Sequence, residues 1–279
     1  DTMTEPLHEI ITGRPRPRHL RFASALAELL PGTKIERRDL SLLARLQINA
    51  VCRLTGIRQA AMPDSGPPVL LHQALTSARR PYATEFDVPL GVHGYSYQAY
   101  LKHGNAARVL LEAQHLRSIF VFSEWARRSF ALHFGDEVGA KCRVSYPLAA
   151  PQARFGGSIR RFDFTFISNN FRIKCGPELV RAFEAVRASG APDARMCVVT
   201  DLDEARRLLG ELRRFEGIEW RAADLDQAAI ADLLRESHCL VHPTLAESFG
   251  VVVLEALAAG CAVITSAMAS LPELVTEAN

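Results

Sequence analysis

Several residue patterns that would decide the class of this protein are absent from its sequence. No pair among the six cysteines has the C-x-x-C spacing of zinc sites and redox motifs, and several cysteines lie in apolar runs. Such cysteines are typical of reduced, buried thiols, so we expect a reducing, cytoplasmic compartment. The longest apolar stretch, 251–265, is broken by Glu255 and Gly260 and is too short to cross a bilayer. No secretory signal pattern opens the sequence, and it shows neither internal repeats nor low-complexity tracts.

Lysine and aromatic residues are also scarce, with four lysines against 29 arginines and 8% Phe, Trp and Tyr. The arginines form no stripe interleaved with aromatic residues, so we do not expect nucleic-acid binding. The sequence is 48% hydrophobic and 23% charged, with 17 Gly and 15 Pro. These values exclude a collagen, a coiled coil and a wholly disordered chain.

The length of 279 residues predicts two domains, which we place at 1–150 and 151–279. The first half has a net charge of +6 and the second half a net charge of −4. A basic first domain permits an anionic partner or contact with a membrane surface. Ordinary solvated faces are the alternative interpretation.

The second half alternates apolar strand-like runs with helical segments. Strands are predicted at 162–168, 195–200, 218–220, 239–243 and 262–265, and helices at 177–188, 203–215, 227–236 and 248–259. Strands without polar alternation are typical of a parallel sheet covered on both faces. In the first half, strands are predicted at 69–71 and 118–122, with Ser123 as the N-cap of a helix. We therefore predict a doubly wound α/β fold, whose ligands bind beyond the carboxyl ends of the strands.

The most informative stretch is a strand–loop–helix junction over residues 242–256. Ser248 is predicted to cap the helix, which would leave the N–H groups of Gly250 and Val251 facing a ligand. Together with the positive end of the helix dipole, these groups favour phosphate binding. Gly250 has no side chain, so a ligand could approach the backbone closely there.

Two carboxylates flank this helix start. Glu247 precedes it, and Glu255 lies two turns along nearly the same face, roughly 10 Å away. One could bind sugar hydroxyls and the other ribose hydroxyls on the opposite side of a diphosphate. Glu255 as a solvated helix residue is the alternative interpretation.

Four motifs in the second half resemble those of the retaining GT-B glycosyltransferases of family 4, also called group 1. Residues 247–255, ESFGVVVLE, are similar to the family's Glu-x7-Glu motif, and 242–244, HPT, to its strand-end Pro-Ser/Thr. Residues 258–264, AAGCAVI, resemble Ala-x-Gly-x-Pro-Val-Ile with Ala262 in place of Pro, and 270–275, SLPELV, resemble Gly-x-x-Glu-x-Val. The resemblance is specific over 160–279, and it extends only suggestively to 120–125. It implies two Rossmann-like domains that face a cleft, an acceptor-side domain at 1–150 and a donor-binding domain at 151–279. The donor-binding domain would then be incomplete at its C-terminal edge.

The resemblance also implies roles for particular residues around a nucleotide-sugar donor. Glu247 would contact the donor sugar and Glu255 the ribose. The backbone of Phe249, Gly250 and Val251, with Ser248 beside it, would hold the sugar and the diphosphate.

The family carries an Arg and a Lys after the first strand of this domain, where the present sequence reads SNNFRIKC over 168–175. Lys174 falls on the family lysine and would neutralise the leaving diphosphate. Asn169 occupies the arginine position, and Arg172 is a candidate substitute. A solvated loop lysine at 174, and a weak or lost activity, are the alternatives.

The acceptor side is the part least similar to the family. Arg16 lies in a basic loop, GRPRPRH over 13–19, that could meet an anionic acceptor or lipid headgroups. His93, in a predicted loop before Gly94, is the histidine we expect to face the cleft, and His72 at a strand end is a second candidate. An exposed basic loop and structurally buried histidines are the alternative interpretations.

Metal binding is not expected. The Asp201-x-Asp203 and Asp224-x-Asp226 triplets precede helices, where carboxylates ordinarily cap the first turn. His238, Cys239 and His242 fall on a strand whose neighbouring side chains point to opposite faces, so they are not expected to converge.

The leading hypothesis is a retaining, metal-independent hexosyltransferase that moves a sugar from a nucleotide diphosphate sugar to a hydroxyl of a glycan, lipid or polysaccharide precursor, as in cell-envelope glycan synthesis. The donor is a co-substrate, and no cofactor is expected. We expect a cytoplasmic protein, with peripheral contact at the inner face of the membrane as a further option. The alternative, motivated by Asn169, is a catalytically inactive partner subunit that binds nucleotide sugars. A sugar-nucleotide epimerase of the same architecture is a third hypothesis, which the Ser-Phe-Gly context disfavours.

Overall fold

The computed structural model describes residues 9–12, 36–39, 50–65, 68–149 and 161–276. The chain divides into two compact units, Asp1–Leu148 and Ala149–Asn279. Each unit is built on one sheet, and all the strand pairs of both sheets are parallel. The predicted α/β class with two Rossmann-like regions is therefore confirmed.

The first unit contains a sheet with the strand order β2-β1-β3-β4-β5-β6. Its strands are β1 (Glu9–Thr12), β2 (Glu36–Asp39), β3 (Val69–His72), β4 (Tyr82–Glu85), β5 (Leu116–Val121) and β6 (Cys142–Val144). In its described part, residues 50–55 are helical, a 3₁₀ turn follows at Pro89–His93, and the later helices are α1 (Tyr97–Glu112), α2 (Glu124–Phe134) and α3 (Asp136–Lys141). Ser123 caps α2, as predicted, by accepting a hydrogen bond from the Ala126 N–H. The pattern did not predict β2, because its sequence ERRD has no apolar residue.

The second unit contains a sheet with the strand order β11-β10-β7-β8-β9. Its strands are β7 (Phe162–Ile167), β8 (Met196–Thr200), β9 (Ile218–Ala222), β10 (Ser237–His242) and β11 (Ala262–Thr265). Its helices are α4 (Gly176–Ala188), α5 (Leu202–Leu209), α6 (Gln227–Arg235) and α7 (Val251–Ala258). The helix predicted over 203–215 is shorter, because Gly210 ends it with a φ of 79° and a separate 3₁₀ turn follows at Leu212–Arg214.

The order of strands in the second sheet locates its binding edge. The chain runs outward from β7 through β8 to β9 on one side, and β10 pairs with β7 on the other side. The direction of strand order therefore reverses between β7 and β10. In open parallel sheets, ligands bind beyond the carboxyl ends of the strands at this switch point. The segments 168–175 and 243–250, which follow β7 and β10, begin at this edge.

Buried apolar side chains hold each unit together. In the first unit Phe86, Phe130 and Phe134 pack against the sheet, and in the second Phe166, Phe171 and Phe183 lie in the largest cluster. All six cysteines carry free thiols. In the described part of the chain, no helix is long and apolar enough to cross a membrane.

Candidate donor-binding site

The helix at the junction begins later than predicted. α7 starts at Val251, its N-cap position is Gly250, and no side chain caps it. The prediction that Ser248 caps the helix is therefore wrong. The Ser248 N–H instead donates to Glu247 Oε1 at 2.9 Å. This hydrogen bond belongs to a turn that precedes the helix.

The backbone conformation and packing of Gly250 explain why glycine occurs at this position. Its φ of 89° lies in the left-handed region that favours glycine. A Cβ built at this position would lie 2.5 Å from Leu271 Cδ2, so the space that a side chain would fill is occupied by Leu271 rather than open to a ligand. Glycine is needed here for the sharp entry into α7 and for close packing on the 3₁₀ turn at Leu271–Glu273.

Glu247 lies at the centre of a hydrogen-bond cluster. Its Oε2 accepts from Lys174 Nζ at 2.8 Å and from His242 Nε2 at 2.9 Å. Its Oε1 accepts from the backbone N–H groups of Ser248 at 2.9 Å and Phe249 at 3.4 Å. Four donors from the described residues thus surround one carboxylate whose side chain is 13% exposed.

These donors set the protonation state of Glu247. Burial by itself raises the pKa of the carboxyl, because the charged form loses water. The hydrogen bond from His242, the charge of Lys174 and its hydrogen bond act in the opposite direction, and they lower the pKa from 4.5 to about 2. Glu247 is therefore an anion at neutral pH and acts there as a hydrogen-bond acceptor.

The turn that carries Lys174 is anchored by an aromatic side chain. Phe171 is fully buried and meets the rings of Phe166 and Trp220 edge-on, with centroids 5.8 and 6.0 Å away. The Phe171 N–H donates to Glu204 Oε2 at 2.7 Å, which ties the turn to α5. These contacts of Phe171 hold the backbone of the turn. Lys174 therefore reaches the site through its side chain, which is the part of the residue that can move.

The two segments of the site are also joined directly. The Leu245 N–H donates to the Ile173 carbonyl at 3.0 Å, and Lys174 Nζ donates to the carbonyl of Ala246 as well as to Glu247. Asn169 and Arg172, the other residues predicted on this turn, are exposed at the same edge of the sheet.

Glu255 is not a solvated helix residue. It is 9% exposed, and its Oε1 accepts a hydrogen bond from Gln227 Nε2 at 2.9 Å, at the first turn of α6. Phe249 is buried, so only its backbone is available to a ligand. The roles of Glu255, Ser248, Phe249, Gly250 and Val251 toward a ligand stay predictions.

His242 is the site residue that the sequence did not reveal as one. The only role that the sequence suggested for His242 was metal binding with His238 and Cys239. Its contact with Glu247 could not be predicted, because that contact depends on how the chain turns back after β10. A histidine at the carboxyl end of a buried strand, five residues before the Glu, was the available signal. Among the described residues, no group of three or more His, Cys, Asp or Glu side chains is arranged to hold a metal ion.

Both Asp-x-Asp triplets act as helix caps, as expected. Asp201 accepts from the N–H groups of Asp203 and Glu204 at the start of α5, and Asp226 accepts from the Ala229 N–H at the start of α6.

The comparisons with known proteins concern the family of this segment and the fold of the chain. Residues 161–279 match the family described as Glycosyl transferases group 1. The match lies within the second unit and covers less than half of the chain. The predicted resemblance is confirmed to that level, whereas retention of configuration and membership of family 4 stay predictions. No curated protein is similar enough to the chain to count as a match.

Several solved structures have the same fold as this chain. WaaG, a glycosyltransferase involved in lipopolysaccharide biosynthesis, is similar over 96% of this chain and 83% of its own, with 14% identity and a TM-score of 0.65. A trehalose-6-phosphate synthase, studied for glycosyltransfer with retention, is similar over 95% of this chain and 85% of its own (11% identity, TM-score 0.58). The E. coli trehalose-6-phosphate protein bound with UDP-2-fluoro glucose is similar over 83% of this chain and 63% of its own (12% identity, TM-score 0.54). At these identities the likeness concerns the fold, and it identifies the architecture as GT-B.

Of the two residues predicted on the acceptor side, His93 is among the described residues and Arg16 is not. His93, expected in a loop facing a cleft, is 1% exposed inside the first unit. Its Nδ1 lies 2.7 Å from the Gly56 carbonyl oxygen, and its ring packs on Tyr100 and Phe134. The prediction of an open position for His93 is wrong, because the 3₁₀ turn at Pro89–His93 directs the ring inward. Arg16 lies outside the described residues.

Polar residues do gather at the carboxyl ends of β3 and β4 in the first unit. His72 Nδ1 lies 3.3 Å from Glu85 Oε1, and these residues are partners across the two strands. Nearby, the Tyr95 hydroxyl lies 2.9 and 2.8 Å from the two carboxylate oxygens of Asp87 and accepts a hydrogen bond from Gln73. Burial raises the pKa of Asp87, and the Tyr95 hydrogen bond opposes that rise.

Proposed function

We propose that this protein is a retaining glycosyltransferase that moves a sugar from a nucleotide diphosphate donor to a hydroxyl of a glycan, lipid or polysaccharide precursor. The observation that carries the proposal is the convergence of Lys174, His242 and two backbone amides on the Glu247 carboxylate, at the switch point of a group 1 domain. An ionised acceptor and a cation thereby lie side by side at the start of α7.

Each part has a role in sugar transfer. Lys174 neutralises the negative charge that develops on the departing diphosphate, and the N-terminal amides of α7 assist it. Glu247 accepts hydrogen bonds from sugar hydroxyls, and Glu255, oriented by Gln227, accepts those of the ribose. The mechanism is front-face substitution, in which the departing phosphate takes the proton of the acceptor hydroxyl and the protein supplies position and charge.

The solved relatives support the donor class and the stereochemistry. One was bound with UDP-2-fluoro glucose and another was studied for transfer with retention. A metal is not part of the proposal, because Lys174 and the helix amides supply the positive charge that the diphosphate requires.

The test begins with a thermal-shift screen of UDP-, GDP- and ADP-sugars, since a specific ligand raises the melting temperature. With the donor that binds, transfer and donor hydrolysis are measured for the wild type and for Glu247→Gln and Lys174→Met. We expect each substitution to lower kcat by roughly 10²–10³-fold. Lys102→Met, a substitution of an exposed lysine in the first unit, is the matched control and should leave kcat unchanged.

Two results would contradict the proposal in different ways. Full turnover by both site variants would remove this mechanism. Donor binding by the wild type without hydrolysis or transfer to any acceptor would instead favour an inactive nucleotide-sugar-binding subunit. The configuration of the product, read from its anomeric proton coupling in NMR, tests retention.

A further inference from the structure

His242 is held by the sheet rather than by the loop that it contacts. β10 lies between β7 and β11, and the His242 carbonyl accepts hydrogen bonds from the Thr265 hydroxyl and the Thr244 N–H, both at 2.9 Å. The side chain is 2% exposed. The position of Nε2 is therefore fixed before any ligand binds.

The hydrogen-bond pattern also selects a tautomer for His242. Glu247 Oε2 is an acceptor, so the 2.9 Å contact requires a hydrogen on Nε2. Nδ1 is buried and has no hydrogen-bond partner in the described part of the chain. Among the described residues, Glu247 is therefore the hydrogen-bond partner of this ring.

Lys174 differs from His242 in its freedom to move. Its side chain is 16% exposed and lies on the turn after β7, at the end of a flexible four-carbon stem. An ammonium group has three donors, and in this structure Lys174 uses two of them, on the Ala246 carbonyl and on Glu247.

The count of lone pairs on Glu247 leads to a conflict. A carboxylate offers about four acceptor positions, and four donors already occupy them. If Glu247 accepts a sugar hydroxyl, as the proposed function requires, one donor has to leave. The amides of Ser248 and Phe249 are fixed by the adjacent backbone, and His242 is fixed by the sheet. Lys174 is the donor that can move.

We propose that His242 is a positioning residue that holds the Glu247 carboxylate in place when Lys174 transfers from it to the diphosphate of the bound nucleotide. This inference rests on the proposed function for the identity of the ligand. It follows that Lys174 and Glu247 form an ion pair in the absence of nucleotide. Nucleotide binding separates this pair, which frees an acceptor position on Glu247 for a hydroxyl of the sugar.

The ionisation of Glu247 can be measured, and it would not change if His242 had only a structural role. Among the described residues, the charged and titratable groups in contact with Glu247 are Lys174, from the turn after β7, and His242, from β10. Burial favours the neutral acid, and these two groups oppose it. When Lys174 leaves, the interaction with His242 is what remains, within the described part of the chain, of the side-chain contacts that favour the anion.

The experiment follows the Glu247 carboxyl carbon by ¹³C NMR in protein labelled at glutamate, with the resonance assigned by its absence from Glu247→Gln. Titrations from pH 8 to pH 4 are recorded with and without UDP, and GDP and ADP are tested in parallel. The variants are His242→Leu, which removes the donor, and His242→Gln, which keeps an amide donor. His238→Leu, at an exposed position on the same strand, is the control.

In the wild type we expect Glu247 to stay ionised throughout, with and without nucleotide. In His242→Leu with nucleotide bound, we expect Glu247 to take up a proton within the titrated range, and His242→Gln should restore the ionised state. The value of kcat in His242→Leu should then fall at acidic pH while that of His238→Leu follows the wild type. An unchanged Glu247 titration in nucleotide-bound His242→Leu would overturn the inference.

Lys174→Met covers the case in which His242→Leu does not fold. Removing the lysine leaves His242 as the only side chain among the described residues that is hydrogen-bonded to Glu247, so Glu247 should remain ionised at pH 7 in this variant. Uptake of a proton at pH 7 would overturn the inference. If no nucleotide binds, the proposed function fails, and the Lys174→Met titration still measures the support that His242 gives to Glu247.

Discussion

Lys174 Nζ lies 2.8 Å from Glu247 Oε2, although 73 positions separate the two residues in the sequence. The pair closes the gap between the loops that follow β7 and β10, at the switch point of the second sheet. Because Glu247 also accepts from His242 and from two backbone amides, the proposed donor site is organised before any ligand is present.

The depressed pKa of Glu247 predicts a pH dependence of stability. Its pKa is about 2 in the folded protein against 4.5 for the ordinary group. The stabilisation is therefore present above pH 4.5 and is lost as the pH falls through the interval from 4.5 to 2, by about 3 kcal/mol at most. We expect the difference in free energy of unfolding between the wild type and Glu247→Gln, measured with urea, to shrink across this interval. A constant difference from pH 6 to pH 2.5 would contradict the assignment.

Gly250→Ala is expected to destabilise the second unit. The substitution places a Cβ 2.5 Å from Leu271 Cδ2 in a backbone with a φ of 89°, and we expect a cost of about 1–3 kcal/mol. Gly260, at the other end of α7, is the matched control. Its φ is 70° and a Cβ there meets nothing within 4 Å, so Gly260→Ala should cost only about 1 kcal/mol. Equal losses in urea unfolding would show that packing against Leu271 contributes nothing.

Lys141 is predicted to stabilise the first unit by closing the end of α1. Its Nζ donates to the carbonyls of Leu111 at 3.0 Å, Glu112 at 2.8 Å and Ala113 at 2.8 Å. Lys141→Met should lower the free energy of unfolding by about 1–3 kcal/mol, because these helix-end carbonyls lose a charged donor. Lys102→Met, in the middle of α1, should change it little. If both variants unfold at the same urea concentration, the contact is not stabilising.

Turnover is expected to be independent of divalent metal, because Lys174 and the N-terminal amides of α7 supply the positive charge. Dialysis against EDTA should leave transfer unchanged, whereas Lys174→Met should lower kcat by roughly 10²–10³-fold. Loss of transfer after EDTA treatment, with recovery on addition of Mg²⁺ or Mn²⁺, would refute this expectation.

Much of the second unit was predictable because its strands are short and continuously apolar. The runs beginning at Phe162, Met196 and Ala262 each form a strand of the parallel sheet, and Asp201 and Asp226 cap helices as their positions indicated. In the first unit, β2 was missed because its charged sequence carries no periodic signal. The inward position of His93 was not predicted. It depends on the 3₁₀ turn at Pro89–His93, and no periodic pattern of apolar residues marks that turn in the sequence.

The sequence by itself determined the α/β class of the chain, since periodicity and helix caps are properties of neighbouring residues. It marked Lys174, Glu247 and Glu255 as candidates through motifs that resemble those of a known family. Only the tertiary structure decided that Gly250 packs on Leu271, that Gln227 binds Glu255, and that His242 and Lys174 share one oxygen of Glu247. The physical reason is that each of these contacts joins separate segments. Their geometry depends on which strands become neighbours in the sheet and on how the chain turns back to bring its side chains within hydrogen-bond distance.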